Sequence, residues 1–127
     1  MGKPSVLYIE DYPVVQQIYV DVLSNEGFDV SVASDGKQAL DLSRQKSFDV
    51  ILVDLLLPKV NGIDFLKSYR KDHPKAEDKA LIIVLTDFDS EHSVKDVKDL
   101  EVEHYWIKVE HTPHVLADKI KKLLEKK

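Results

Sequence analysis

The sequence predicts an α/β domain built on a parallel sheet, and three observations carry that reading. First, three uniformly apolar runs, Val6-Leu7-Tyr8-Ile9, Val50-Ile51-Leu52-Val53 and Leu81-Ile82-Ile83-Val84-Leu85, have the composition of strands covered on both faces. Second, amphipathic segments of helical period separate these runs, giving five strand–helix units in succession, the pattern of a parallel sheet with crossover helices. Third, the runs stop at several carboxylates and a hydroxyl: Glu10-Asp11, Asp54 and Thr86-Asp87.

The first helix opens at Asp11-Tyr12-Pro13, with Pro13 suited to the first helical position. Val14, Val15, Ile18, Val22 and Leu23 are expected on its inner face, and Gly27 is placed to end it. Phe28, Val30 and Val32 alternate with Asp29 and Ser31, so the second strand has one wet face and belongs at a sheet edge. The second helix starts near Asp35-Gly36, with Ala39, Leu40 and Ser43 inward. After the strand ending at Val53, a loop through Pro58 leads to a helix from about Gly62, with Ile63, Leu66 and Tyr69 inward and Asn61 as a cap. Residues 73–79 are polar, carry Pro74 and read as a loop.

Beyond the fourth strand, residues 90–100 predict a short, heavily charged helix, the least stable of the set. Residues 104–108 read as the last strand. The last helix runs from about Thr112 and buries Leu116, Ile120, Leu123 and Leu124. Lys121, Lys122, Lys126 and Lys127 sit at its end as solvated groups that complement the helix dipole. The five histidines, His73, His92, His104, His111 and His114, read as solvated surface residues; only His111 and His114 have helical-neighbour spacing.

Bulk properties narrow the function classes. The 127 residues suit one domain with one core, and 43% hydrophobic with 32% charged residues is a globular composition. No apolar run nears the roughly 20 residues that span a bilayer. The start, Met1-Gly2-Lys3-Pro4, lacks a signal-peptide core. Cysteine is absent, which removes disulfides and thiolate metal sites and leaves a cytoplasmic address as the expectation. A net charge of −5 with no broad basic stretch disfavours direct nucleic-acid binding, and without a spanning run no membrane partner is expected.

An edge position for the second strand favours a doubly wound (βα)5 sheet of flavodoxin-like order 2-1-3-4-5, whose crevice lies at the C-terminal ends of the first and third strands. Glu10, Asp11 and Asp54 sit at those ends. Carboxylates about 4 Å apart repel by about 4 kcal/mol per pair at an effective dielectric near 20. Such a cluster therefore suggests a bound cation.

Taken together, Glu10-Asp11, the segment Asp54-Leu55-Leu56-Leu57-Pro58-Lys59-Val60-Asn61-Gly62, Thr86, and Tyr105-Trp106-Ile107-Lys108 resemble the receiver domain of two-component response regulators across essentially the whole chain. Singly, Lys108 reads as a surface lysine, Thr86 as a strand-end hydroxyl and Tyr105 as packing; their order along the chain gives them meaning. The resemblance implies that Asp54 is a phosphoacceptor. It implies Mg²⁺ held by Glu10 (through water), Asp11, Asp54 and the backbone carbonyl of Leu56. It also implies Lys108 as a second cation at the phosphoryl oxygens and Thr86 as a hydroxyl donor to them. Drawing Thr86 toward the new charge lets Tyr105 turn inward and reshapes the surface of the last two units.

Three features depart from that family's common pattern. Val109 stands where proline usually follows the lysine, often through a cis peptide that costs a non-proline residue about 2.5–4 kcal/mol. A different path is therefore expected for residues 109–113. Asp87 follows Thr86 where a small residue is common, and it either repels the phosphoryl group or points to solvent. Leu56 and Phe88 fall at the two positions that border the path of attacking water. Both are apolar, so a long-lived phosphoryl group is expected.

The leading expectation is a single receiver domain over residues 1–127 without an output domain. It is a signalling module that catalyses only its own phosphoryl transfer and dephosphorylation. Its expected partners are a histidine kinase or phosphotransfer protein, a downstream protein target, and a second copy through the last two units. The alternative is a pseudo-receiver that binds proteins independently of phosphorylation, with Asp87 and Val109 as its signs. An aspartyl phosphatase ranks third, because such enzymes place a general acid where Leu56 stands. A flavin-binding reading fits the fold, but the acidic first loop lacks a phosphate-cradling turn.

Overall fold

Five strands, β1 (Ser5–Ile9), β2 (Asp29–Ala33), β3 (Val50–Asp54), β4 (Leu81–Thr86) and β5 (His104–Ile107), form one sheet in the order β2-β1-β3-β4-β5, with every neighbouring pair parallel. This is the flavodoxin-like order expected from the sequence, with β2 at an edge. The computed structural model describes residues 3–54, 62–73, 80–86, 104–107 and 112–125. Asp54, Gly62, Ile63, Thr86, His104, Tyr105 and Ile107 are described through their backbone alone. The helix expected over residues 90–100, the Asn61 cap and residues 74–79 lie outside the described residues.

Among the described residues the helices are α1 (Pro13–Asn25), α2 (Gly36–Gln45), α3 (Gly62–Asp72) and α4 (Pro113–Glu125). Pro13 occupies the start of α1, and Tyr12 at its N-cap makes no side-chain capping bond. α2 has a reciprocal cap: Gln38 N donates to Asp35 Oδ1 at 2.8 Å, and Ser34 N donates to Gln38 Oε1 at 2.8 Å. At α4, Val115 N donates to Thr112 Oγ1 at 3.3 Å. Gly27 ends α1 with φ +98, a left-handed conformation that glycine adopts without penalty.

Because successive strand residues alternate between faces, the sheet divides its apolar side chains between two cores. Leu7, Ile9, Ile51, Val53, Ile82 and Val84 pack with Ala39 of α2 and Phe65, Leu66 and Tyr69 of α3. Val6, Tyr8, Val50, Leu52, Ile83 and Leu85 pack with Tyr19 and Leu23 of α1 and Leu116, Ala117 and Ile120 of α4. Leu123 and Leu124 are half-buried against the second core.

α1 turns a different stripe inward from the one its periodicity suggested. Val15, Tyr19, Val22 and Leu23 are buried or half-buried, while Val14 and Ile18 are 65% and 50% exposed. Tyr19 fixes this rotation by packing its ring on Tyr8, with centroids 5.2 Å apart.

Two polar side chains expected as solvated are engaged as well. Lys121 donates through Nζ to Glu26 Oε2, and His114 Nδ1 lies 3.7 Å from Glu26 Oε1, so both link α4 to the end of α1. His73 stacks on the Tyr69 ring at 4.3 Å between centroids.

Candidate functional site

The sheet register brings the acidic ends together. Ile9 is opposite Val53, so Glu10 and Asp54, the next residue on each strand, leave the sheet at one level. Adjacent strands lie about 4.8 Å apart. Asp54 itself ends β3 opposite Leu85, and Thr86 ends β4 opposite Ile107. Tyr105 lies in β5 opposite Val84. Glu10, Asp54 and Thr86 therefore emerge along a single C-terminal edge, from the adjacent strands β1, β3 and β4.

Glu10 is only 2% exposed, whereas Asp11 is exposed. A carboxylate buried at a strand end needs nearby positive or donor groups, because an ionised carboxylate is costly to desolvate. The main chain of Glu10 is held at both ends of the residue. Its N–H donates to Ala33 O on β2 at 3.0 Å, and its carbonyl accepts Gln16 Nε2 of α1 at 3.0 Å.

Among the described residues no group of three or more His, Cys, Asp or Glu is gathered closely enough to hold a metal ion. The acids at this edge, Glu10 and Asp11 with Asp54 on the neighbouring strand, offer oxygen atoms alone. Hard cations such as Mg²⁺ take this chemistry, which suits neither a thiolate nor an imidazole metal site. Lys108, the Leu56 carbonyl, Asp87 and Phe88 lie outside the described residues.

Sequence reasoning placed Glu10, Asp11, Asp54, Thr86 and Tyr105 on the strands and at the edge where the backbone has them. It missed Gln16. The available signal was a polar residue between Val15 and Tyr19 on the half-buried flank of α1, one turn after Pro13.

A five-stranded doubly wound sheet with acids gathered at the β1/β3 crevice defines a receiver-type α/β domain. The family model for the response regulator receiver domain matches residues 6–121, and the chain belongs to that family, the receiver domains of two-component response regulators.

The chain is 44% identical over 68 residues to the transcriptional regulatory protein CpxR of Escherichia coli, a match covering 54% of this chain and 29% of that protein. The chain thus spans about three tenths of the length of the curated relatives it matches. Among solved structures, the receiver domain of the Francisella response regulator 1452 superposes with a TM-score of 0.82 at 28% identity, covering 97% of this chain and 98% of that one. A CheY-like receiver domain protein from Methanospirillum hungatei superposes with a TM-score of 0.88, covering 98% of this chain and 96% of that one; at 22% identity it speaks to the fold.

Proposed function

We propose that this chain, as one receiver unit over residues 1–127, accepts a phosphoryl group on Asp54 in a Mg²⁺-dependent reaction and uses it to switch an interaction surface. The observation that carries the reading is the register, which sets Glu10 and Asp54 at one level on adjacent strands. Glu10, Asp11, Asp54 and the Leu56 carbonyl would hold the ion. When bound, it supplies positive charge that offsets the acids and the transferring phosphoryl group.

The chemistry of the chain's own residues follows. An Asp54 carboxylate oxygen attacks phosphorus of a phosphohistidine or small phosphoramidate. The P–O bond forms as the P–N bond breaks, and the electron pair leaves on nitrogen, which takes up a proton. Lys108 contributes a cation at the phosphoryl oxygens, and the Thr86 hydroxyl donates to the product. The added charge of nearly −2 draws Thr86 toward Asp54, and Tyr105 and the last two units respond.

The donor is a histidine kinase or phosphotransfer protein. Tyr12, Val14 and Ile18, at 62%, 65% and 50% exposed, form an apolar flank beside Asp11 that suits a donor arriving at the crevice. A net charge of −5 argues against nucleic acid as a direct partner, and a protein target or a second copy reads the switched surface. Among the described residues no helix is long and apolar enough to cross a membrane. With a cysteine-free sequence, this fits a cytoplasmic setting.

The test is incubation with Mg²⁺ and phosphoramidate or beryllofluoride, following mass and Trp106 fluorescence in the wild type and in Asp54→Ala. A stable adduct that depends on Asp54 is expected. Mg²⁺ binding without any adduct would instead favour the pseudo-receiver that Asp87 and Val109 suggest. Continuous phosphate release would favour a phosphatase.

A further inference from the structure

We infer that Gln16 is a positioning residue for the acidic corner, setting its affinity for a divalent cation from one turn inside α1. The inference rests on the metal-assisted reading of Glu10 and Asp11 given above. It begins with how α1 starts. A helix leaves its first N–H groups without intrahelical partners, and a side-chain cap normally fixes the entering chain. Here Pro13 removes one donor and Tyr12 offers no capping side chain. The turn between β1 and α1, which carries both acids, is therefore not fastened by a cap.

Gln16 fastens it differently. Its backbone N–H donates to Tyr12 O at 2.9 Å, closing the first turn, while its Nε2 reaches back six residues to the carbonyl of Glu10 at 3.0 Å. That carbonyl belongs to the peptide joining Glu10 to Asp11. On its N-terminal side, Glu10 N is bonded to Ala33 O. The two bonds together fix Glu10 against β2 and orient the peptide plane that leads into Asp11. The direction in which the Asp11 side chain leaves the backbone follows from that plane.

Mg²⁺ demands near-ideal octahedral geometry, so a carboxylate free to rotate away loses affinity to the cost of ordering it. Groups that orient metal ligands typically change affinity by 10–100-fold when removed. Gln16 acts on a backbone carbonyl rather than on a ligand oxygen, so the low end of that range applies. Gln17, the next residue on α1, is exposed and donates instead to Asp21 Oδ1 at 2.7 Å, which makes it an internal control.

The experiment is calorimetric titration of Mg²⁺ into the wild type, Gln16→Met, Gln17→Met and Asp11→Asn. Methionine keeps the length and helix preference of glutamine while removing the donor. The expected result is a Kd raised about tenfold in Gln16→Met, unchanged in Gln17→Met, and raised further in Asp11→Asn. In metal-free protein, the carbonyl-carbon resonance of Glu10 should move upfield in Gln16→Met and stay in place in Gln17→Met.

An unchanged Kd for Gln16→Met, with the wild type binding Mg²⁺, overturns this inference and leaves the phosphoacceptor reading intact. A wild type that binds no Mg²⁺ overturns both. Should Gln16→Met fail to fold, the wild type alone decides: lack of a nuclear Overhauser contact between the Gln16 side-chain amide and the Glu10–Asp11 backbone overturns it.

Discussion

Lys121 on α4 donates to Glu26 just beyond the end of α1, joining two helices that cover the same face of the sheet from positions 95 residues apart in the chain. The hydrogen bond and charge of Lys121 hold the Glu26 carboxyl below its ordinary value of 4.5, and His114 adds to the effect. A carboxyl whose pKa is lower folded than unfolded stabilises the fold fully above the unfolded value and loses that contribution as pH falls through the folded value. Glu26→Gln should therefore melt below the wild type at pH 7. The gap should close as pH drops below about 4.5. Thermal denaturation between pH 3 and pH 7 measures this, and a gap independent of pH would contradict it.

Tyr69 on α3 is tied to the residue just before β4 through its hydroxyl, which accepts the buried Ala80 N–H at 3.1 Å. Its ring also stacks with Phe65 and His73. Tyr69→Phe keeps the stacking and deletes the acceptor, leaving a buried amide unsatisfied. A loss of about 1–3 kcal/mol is expected in urea unfolding, with faster hydrogen exchange at Ala80.

At Gly27 the space and the backbone give opposite indications. A Cβ there would meet nothing within 4 Å, yet φ is +98. Gly27→Ala should destabilise by about 1–2 kcal/mol through the left-handed conformation alone. Gly27→Asn should cost less, since asparagine tolerates that region better. Equal losses for both variants in urea titrations would point to a steric cause instead.

Lifetime of the phosphorylated state is the prediction tied most closely to sequence. In the receiver reading proposed above, apolar Leu56 and Phe88 fall at the two positions that border the approach of water, so acyl phosphate decay in Mg²⁺ after donor removal should be slow. Leu56→Asn with Phe88→Glu should speed it by about tenfold, the effect of ~1.4 kcal/mol in the barrier. Equal decay rates in the two proteins would end this expectation.

The strands and their order were legible because buried parallel strands are uniformly apolar and the alternating β2 marks itself as an edge. The acidic edge was legible for the same reason, since Glu10 and Asp54 each follow the last apolar residue of a strand or end it. The rotation of α1 was not. Apolar residues occur nearly all round it, and what selects Val15, Tyr19 and Leu23 over Val14 and Ile18 is the Tyr8 ring, a partner that helical period cannot reveal. The Glu26–Lys121 pair and the reach of Gln16 to Glu10 were hidden similarly. Each depends on where two elements meet in space, and composition alone assigns lysine to solvent and glutamine to a helix flank.

The alternation within β3 has a consequence for how far a displacement at its end is felt. Val50 and Leu52 pack under α1 and α4, while Ile51 and Val53 pack under α2 and α3, so the single strand that ends in Asp54 is wedged into both hydrophobic layers. Tightly filled interiors pass on small displacements rather than absorb them. A displacement at the tip of β3 would thus load both layers at once, the one under α1 and α4 and the one under α2 and α3.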